Sequence, residues 1–174
     1  RAMSNRRTFL RALAGGTAGL VGATADWPSA ARLLAQNPPA GRRRAMLGSR
    51  RITVVDVHAH TFVPEVWDLV KDTPLAEAAK ANLTGAIALE PGMAARLAYM
   101  DREGIDYQVI NVNAWGYAAE RALARDLVQL QNERISRAVA ARPDRFVGMA
   151  TLALQHPDLA AEQLEYGVRR LGLK

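Results

Sequence analysis

The sequence predicts an α/β fold of parallel strands, of the (β/α) barrel type, and three observations carry that expectation. Between residues 51 and 174, apolar runs alternate with helical patterns in the order strand, helix, strand, helix, strand, helix. Alternation of this kind joins parallel strands through right-handed helical crossovers. The strands are largely apolar, as strands covered on both faces are. The first of them leads into Asp-Val-His-Ala-His (56–60), where a dinucleotide-binding sheet would carry its Gly-x-Gly-x-x-Gly turn. That favours a barrel, whose site lies at the carboxyl ends of its strands.

Each element has its own signal. Residues 52–58 form a β-branched run and are expected as the first strand. A polar, irregular section follows from 61 to about 90, broken by Pro64 and Pro74, in which "PEVWDLVKD" (64–72) suits a short helix opening on proline. Met93, Leu97 and Met100 set a helix over 92–103, with Gly104 as its left-handed cap. The second strand is expected over 105–112 ("IDYQVINV"). A long amphipathic helix spans 117–141, with Leu123, Leu127, Leu130 and Ala138 on one stripe and Val128, Ile135 and Val139 beside it; Pro143 stops it. A third strand is expected over 145–154, then a helix over 156–172 with Pro157 in its first turn and Gly172 at its end.

The net charge of +6 is unevenly placed. Residues 1–50 carry nine arginines and one acid, a balance of +8, whereas the remaining 14 basic and 16 acidic residues give −2. A nucleic-acid binder puts a basic face on its folded surface, so no nucleic-acid partner is expected. Cysteine is absent, which excludes disulfides, zinc–thiolate clusters and a thiol nucleophile. "NRRTFLRALAGGTAGLVGATA" (5–25) has a charged start, a Gly/Ala/Leu-rich middle and a small-residue end, the architecture of a signal peptide. Its Arg6-Arg7 pair before Phe9-Leu10 resembles the twin-arginine export signal, with Asn5 and Arg11 departing from that pattern. Residues 1–25 are therefore expected as a signal cleaved after "ATA" (23–25), Met3 as the start, and the mature protein as periplasmic, with the export machinery as a partner. The middle is too short and too glycine-rich for a stable membrane anchor. Residues 26–50, rich in Pro, Gly and Arg, are expected as a linker, and 51–174 as the folded domain.

The chemistry gathers at the first strand. In a regular strand alternate residues share a face, so Asp56, His58 and His60 are expected to point together, with Val55 and Val57 toward the helices. Two imidazoles at that spacing can reach one cation at nitrogen–metal distances near ~2.1 Å. Asp56, deeper in the strand, is expected to orient a ligand by hydrogen bonding. A core hydrogen-bonded histidine pair is the plainer alternative, but three polar groups on a buried face are costly without a partner.

The string "VDVHAH" (55–60) resembles the first-strand signature of the amidohydrolase superfamily, the metal-dependent (β/α)8 barrels. "RLAYMDREGIDYQVINV" (96–112), "ARPDRFVGMATLAL" (141–154) and "LAAEQLEYGVRRLGLK" (159–174) are similar to its amidohydrolase-related branch, which includes aminocarboxymuconate-semialdehyde and resorcylate-type decarboxylases together with hydrolases. The resemblance implies a TIM barrel of which the chain holds the N-terminal part, about three βα units. It implies a divalent metal, commonly zinc, held by His58 and His60. It also implies a small-molecule substrate and either hydrolysis or non-oxidative decarboxylation (carbon–carbon lyase chemistry). The family's remaining ligands and its catalytic histidine come from later strands, expected beyond Lys174, so this fragment alone is expected to be inactive. Decarboxylase members hold the substrate carboxylate with an arginine ahead of the "MD-x-x-G" helix; between Lys80 and Arg96 there is no basic residue, and Arg96 lies within that helix.

Asn111, Asn113 and Trp115 follow the second strand and are possible substrate-rim residues, although all three types are ordinary in loops. His156 precedes Pro157 at a helix start, where capping accounts for it, and the Arg42–Arg44 run reads as a solvated linker. The alternative reading of the whole is a non-catalytic truncated paralogue or an exported metal-binding module.

Overall fold

The computed structural model describes residues 41–85, 87–89 and 92–174. The expected signal peptide, 1–25, and the first part of the expected linker, 26–40, lie outside the described residues. A small antiparallel hairpin comes first, β1 (Met46–Leu47) with β2 (Arg50–Arg51). There follow β3 (Val55–Phe62), α1 (Val66–Val70), α2 (Ala76–Gly85), β4 (Ile87–Ala88) and α3 (Met93–Glu103). The order continues with β5 (Tyr107–Val112), α4 (Arg121–Ala141), β6 (Phe146–Gly148) and α5 (Pro157–Arg169). The main sheet has the order β4-β3-β5-β6, and every pairing in it is parallel. The three strand-to-helix units of the expected α/β fold are present, with helices α3 and α4 as the crossovers.

Several boundaries differ from the sequence expectation, each for a local reason. The first strand runs over 55–62 rather than 52–58. Residues just before it are held elsewhere: the Val54 amide donates to Asp106 Oδ2 (2.9 Å) and its carbonyl accepts from the amides of Asp106 and Tyr107. At its far end the chain stays extended through Thr61 and Phe62, because β4 pairs with those two residues. Helix α2 and β4 lie in the stretch expected to be irregular. The third strand is regular only over 146–148. There the side chain of Asn132 on α4 accepts from the Thr151 amide (2.8 Å) and donates to the Thr151 carbonyl (3.0 Å), drawing that residue out of the ladder. Helix α4 begins at Arg121 rather than 117, and α5 ends at Arg169, short of 172. Gly104 caps α3 with φ 75°, as expected.

The described part of the expected linker is folded against the domain. Arg42 and Arg51 both donate through Nη2 to Asp106 Oδ1, at 2.7 and 2.6 Å, and the Asp106 side chain is buried. Arg145, also buried, donates to the main-chain carbonyls of Asp106 and Ile105 and pairs with Asp101 at 2.8 Å. The Val54 amide, and then Arg51 and Arg42, hold the Asp106 carboxyl below its ordinary range against the opposing effect of burial.

Between sheet and helices the core is built on Ile110, Phe146, Met100, Ile135 and Leu159. Gly148 in β6 has no room for a side chain: a Cβ there would stand 2.6 Å from Ile135 Cγ2 and 2.7 Å from Leu173 Cδ2. That contact also fixes the faces, since Ile135 and Val139 belong to α4 and Gly148 therefore points toward the helical layer. Beyond β6, Lys174 donates its amide to the Gly148 carbonyl and accepts from the Ala150 amide, both at 2.9 Å. This is the bonding pattern of a further parallel strand laid against the edge of β6.

Candidate metal centre

Register decides which face each residue of β3 occupies. Asp56 pairs with Gln108, then Ala59 pairs with Ile110 and His60 with Asn111. Three steps along β3 match two along β5, so Val57–His58 form a bulge. Ile110 pairs with Gly148 on the helix-facing side, and Gln108, two residues away, shares that side. Asp56 therefore faces the helices, while His60 and Asn111 lie on the opposite, barrel-facing side. This corrects the expectation that Asp56, His58 and His60 point together: the extra residue reverses the alternation between Asp56 and His60. Val57, expected against the helices, is 68% exposed within the bulge.

The two histidines nevertheless converge. Their Nε2 atoms are 2.8 Å apart, and their rings meet edge to face with centroids 4.6 Å apart. Two nitrogens each ~2.1 Å from one ion stand roughly 3.0 Å apart at a right angle and about 3.4 Å apart at the tetrahedral angle. The observed 2.8 Å is the distance of a hydrogen bond between the two rings, and it leaves both nitrogens close enough to turn toward one ion. Which Nε2 donates in that contact depends on the tautomer, and a cation would need both as acceptors, with each ring's hydrogen on Nδ1. The Nδ1 of His60 is buried and has no hydrogen-bond partner among the described residues. No third His, Cys, Asp or Glu completes a ligand cluster among the described residues. The donor set present is thus two imidazole nitrogens, a type of donor that divalent ions take.

Asp56 does its work from behind. Its Oδ1 accepts from the His58 amide (3.1 Å), and its Oδ2 accepts from Gln108 Nε2 (2.8 Å). Gln108 Oε1 accepts in turn from Arg96 Nη1 (3.2 Å), and Arg96 Nη2 donates to the His60 carbonyl (2.8 Å). Arg96 and Gln108 are each 3% exposed. Burial lowers the Arg96 pKa and the Asp56 charge opposes that. Neither Arg96 nor Gln108 stood out in the sequence as a site residue, although both broke an apolar pattern. Arg96 sits on the Met93–Met100 stripe of α3, and Gln108 lies in a strand otherwise rich in Val and Ile.

Of the possible rim residues, only Asn111 lies beside the pair, as the ladder partner of His60. Its Nδ2 contacts Met149 Sδ at 3.8 Å, and its Oδ1 is buried without a hydrogen-bond partner among the described residues. Asn113 and Trp115 instead line a small cavity of about 30 Å³ with Gln131 and Gln155. His156 is tied to the Ala119 carbonyl (3.2 Å) at the start of α5.

No family model matches the chain. It is 42% identical over 79 residues to the gamma-resorcylate decarboxylase of Rhodococcus jostii, a match covering 44% of this chain and 24% of that protein. The chain thus spans about a quarter of the length of the curated relatives it matches. Among solved structures, 5-carboxyvanillate decarboxylase from Sphingomonas paucimobilis superposes with a TM-score of 0.55 at 26% identity, over 70% of this chain and 41% of that one. Dihydroxybenzoic acid decarboxylase from Polaromonas sp. JS666, solved with bound manganese and the inhibitor 2-nitroresorcinol, gives 0.53 at 25% identity, over 70% and 36%. By sequence and by fold, the chain is a relative of the amidohydrolase-related decarboxylases, and its described residues form part of their (β/α) barrel.

Proposed function

We propose that this chain supplies the first two metal ligands, His58 and His60, of a metal-dependent decarboxylase acting on a hydroxylated aromatic carboxylate. The observation that carries the reading is the convergence of the two Nε2 atoms, 2.8 Å apart, on the barrel side of a parallel sheet related to those of aromatic acid decarboxylases. A divalent ion held there would act as a Lewis acid toward a substrate oxygen. The manganese bound in the related Polaromonas structure makes manganese, beside the zinc of the sequence expectation, a candidate for the divalent ion. His58 and His60 bind the ion through Nε2. Asn111, on the same face and with a free Oδ1, accepts a hydrogen bond from a substrate hydroxyl. Asp56, behind the strand, keeps the His58 main chain in place.

Arg96 donates to the His60 carbonyl and to Gln108 from the helix-facing side, so the substrate carboxylate falls to groups elsewhere in the protein. Export by the twin-arginine route, with the protein folded and its metal installed beforehand, is the localisation we propose from residues 5–25. Carbon dioxide release from 2,6-dihydroxybenzoate and 5-carboxyvanillate by the full-length, manganese-loaded protein tests the function. Turnover of either supports the lyase reading. Cleavage of esters or lactones without decarboxylation replaces it with a hydrolase, and metal binding without any turnover replaces it with a binding module.

A further inference from the structure

A chain of hydrogen bonds, buried at Arg96 and Gln108 and reaching the surface at the His58 amide, ties the main chains of the two histidines together from the side of the sheet away from their rings. It starts at the His60 carbonyl and passes through Arg96 Nη2 (2.8 Å) and Arg96 Nη1 to Gln108 Oε1 (3.2 Å). It continues from Gln108 Nε2 to Asp56 Oδ2 (2.8 Å) and ends where Asp56 Oδ1 accepts from the His58 amide (3.1 Å). We infer that Arg96, Gln108 and Asp56 are positioning residues for the metal pair, holding the Val57–His58 bulge in the one shape that turns both Nε2 atoms toward a common point. The inference rests on the metal-centre reading above.

The physical case begins with the cost of the arrangement. Taking a guanidinium out of water costs several kcal/mol even after relaxation, and Arg96 is 3% exposed on a helix whose stripe is otherwise apolar. A leucine or methionine there would pack the same space without that cost. What the arginine adds is direction: a planar, multiply donating head that reaches a side-chain oxygen and a main-chain carbonyl at once.

The bulge supplies the need. An inserted residue leaves main-chain groups outside the ladder, and a β-bulge next to a site re-aims a side chain. Here the His58 amide, displaced from regular pairing, is satisfied by Asp56. Asp56 is in reach because the same bulge sends it to the helix-facing side, where Gln108 meets it. In an unbulged strand Asp56 would lie on the face of the histidines, and this chain of bonds would have no carboxylate at its end. The bulge and the Arg96–Gln108–Asp56 chain therefore require each other.

The test uses the full-length protein with cobalt(II) as the probe, since its visible absorption reports the arrangement of its ligands. Arg96→Met, Arg96→Lys and Asp56→Asn are compared with the wild type by cobalt titration, by the visible spectrum of the loaded protein and by thermal unfolding of the metal-free protein. Arg96→Met is expected to weaken cobalt binding about 10- to 100-fold and to alter the spectrum. Arg96→Lys, which keeps a donor, is expected to recover part of both. Asp56→Asn, of the same size, is expected to shift the spectrum in the same sense, and it carries the test if Arg96→Met fails to fold. Folded variants with wild-type cobalt affinity and spectrum overturn the inference and leave the metal pair standing. A wild-type protein that takes up no cobalt, manganese or zinc overturns the metal reading itself.

Discussion

The Nε2 atoms of His58 and His60 stand 2.8 Å apart, although a bulge separates the two residues' places in the strand. Regular alternation would set their Cα atoms about 6–7 Å apart on one face. The bulge makes His58 exposed and leaves His60 partly buried, so the two imidazoles contribute unequally. The His60 main chain is anchored by the ladder and by Arg96, whereas the His58 main chain is held by the hydrogen bond of its amide to Asp56.

Removing the anchored imidazole should therefore cost more than removing the exposed one. His60→Ala in the full-length protein is expected to retain less manganese after dialysis than His58→Ala, and the double variant none above background. Elemental analysis against protein concentration measures this. Undiminished stoichiometric metal in the double variant would sink the assignment of both residues.

The packing around Gly148 gives a second expectation, independent of any metal. A Cβ there would stand 2.6 Å from Ile135 and 2.7 Å from Leu173, and both neighbours are fully buried. Overpacking of this kind costs about 1–3 kcal/mol. Gly148→Ala should lower the thermal midpoint by several degrees, with no change in cobalt affinity, because the site lies on the other face of the sheet. An unchanged midpoint would mean that β6 and α4 are not in the close contact described.

Much of this was legible from residue pattern, and the misses share one cause. The alternation of strands and helices, the Gly104 cap and the closeness of His58 to His60 all follow from local rules of spacing, and local rules read well from sequence. The bulge at Val57–His58 does not, because it is set by how β3 registers on a strand some fifty residues away. Without the bulge, regular alternation puts Asp56 on the face of the histidines and leaves Arg96 and Gln108 without a visible task. The third strand is shorter than its sequence predicts for the same reason: "ATLAL" is a sound strand sequence, and the side chain of Asn132, from α4, removes Thr151 from the ladder. Residues 41–50 looked like linker by composition, yet Arg42 belongs to a three-way contact with Asp106 that composition cannot show.

That contact carries the last prediction. Asp106 lies immediately before β5, at the amino ends of the strands, opposite the end where the histidines sit. In barrels of this kind the amino-terminal face serves stability and the carboxyl-terminal face chemistry. Asp106→Asn should therefore destabilise the protein while leaving cobalt affinity unchanged. Its folded-state pKa is depressed, chiefly by the Val54 amide and then by Arg51 and Arg42. The carboxylate's contribution is thus complete above the unfolded value of about 3.9 and is lost as pH falls through the lower folded value. In urea titrations the variant should be about 1–3 kcal/mol less stable at neutral pH, by a margin that holds down to about pH 5 and then closes below about pH 4. A margin that stayed constant to pH 3 would assign the loss to hydrogen-bond geometry and not to charge. No margin at neutral pH would mean that the arginines of the hairpin segment do not hold residues 41–54 to the domain.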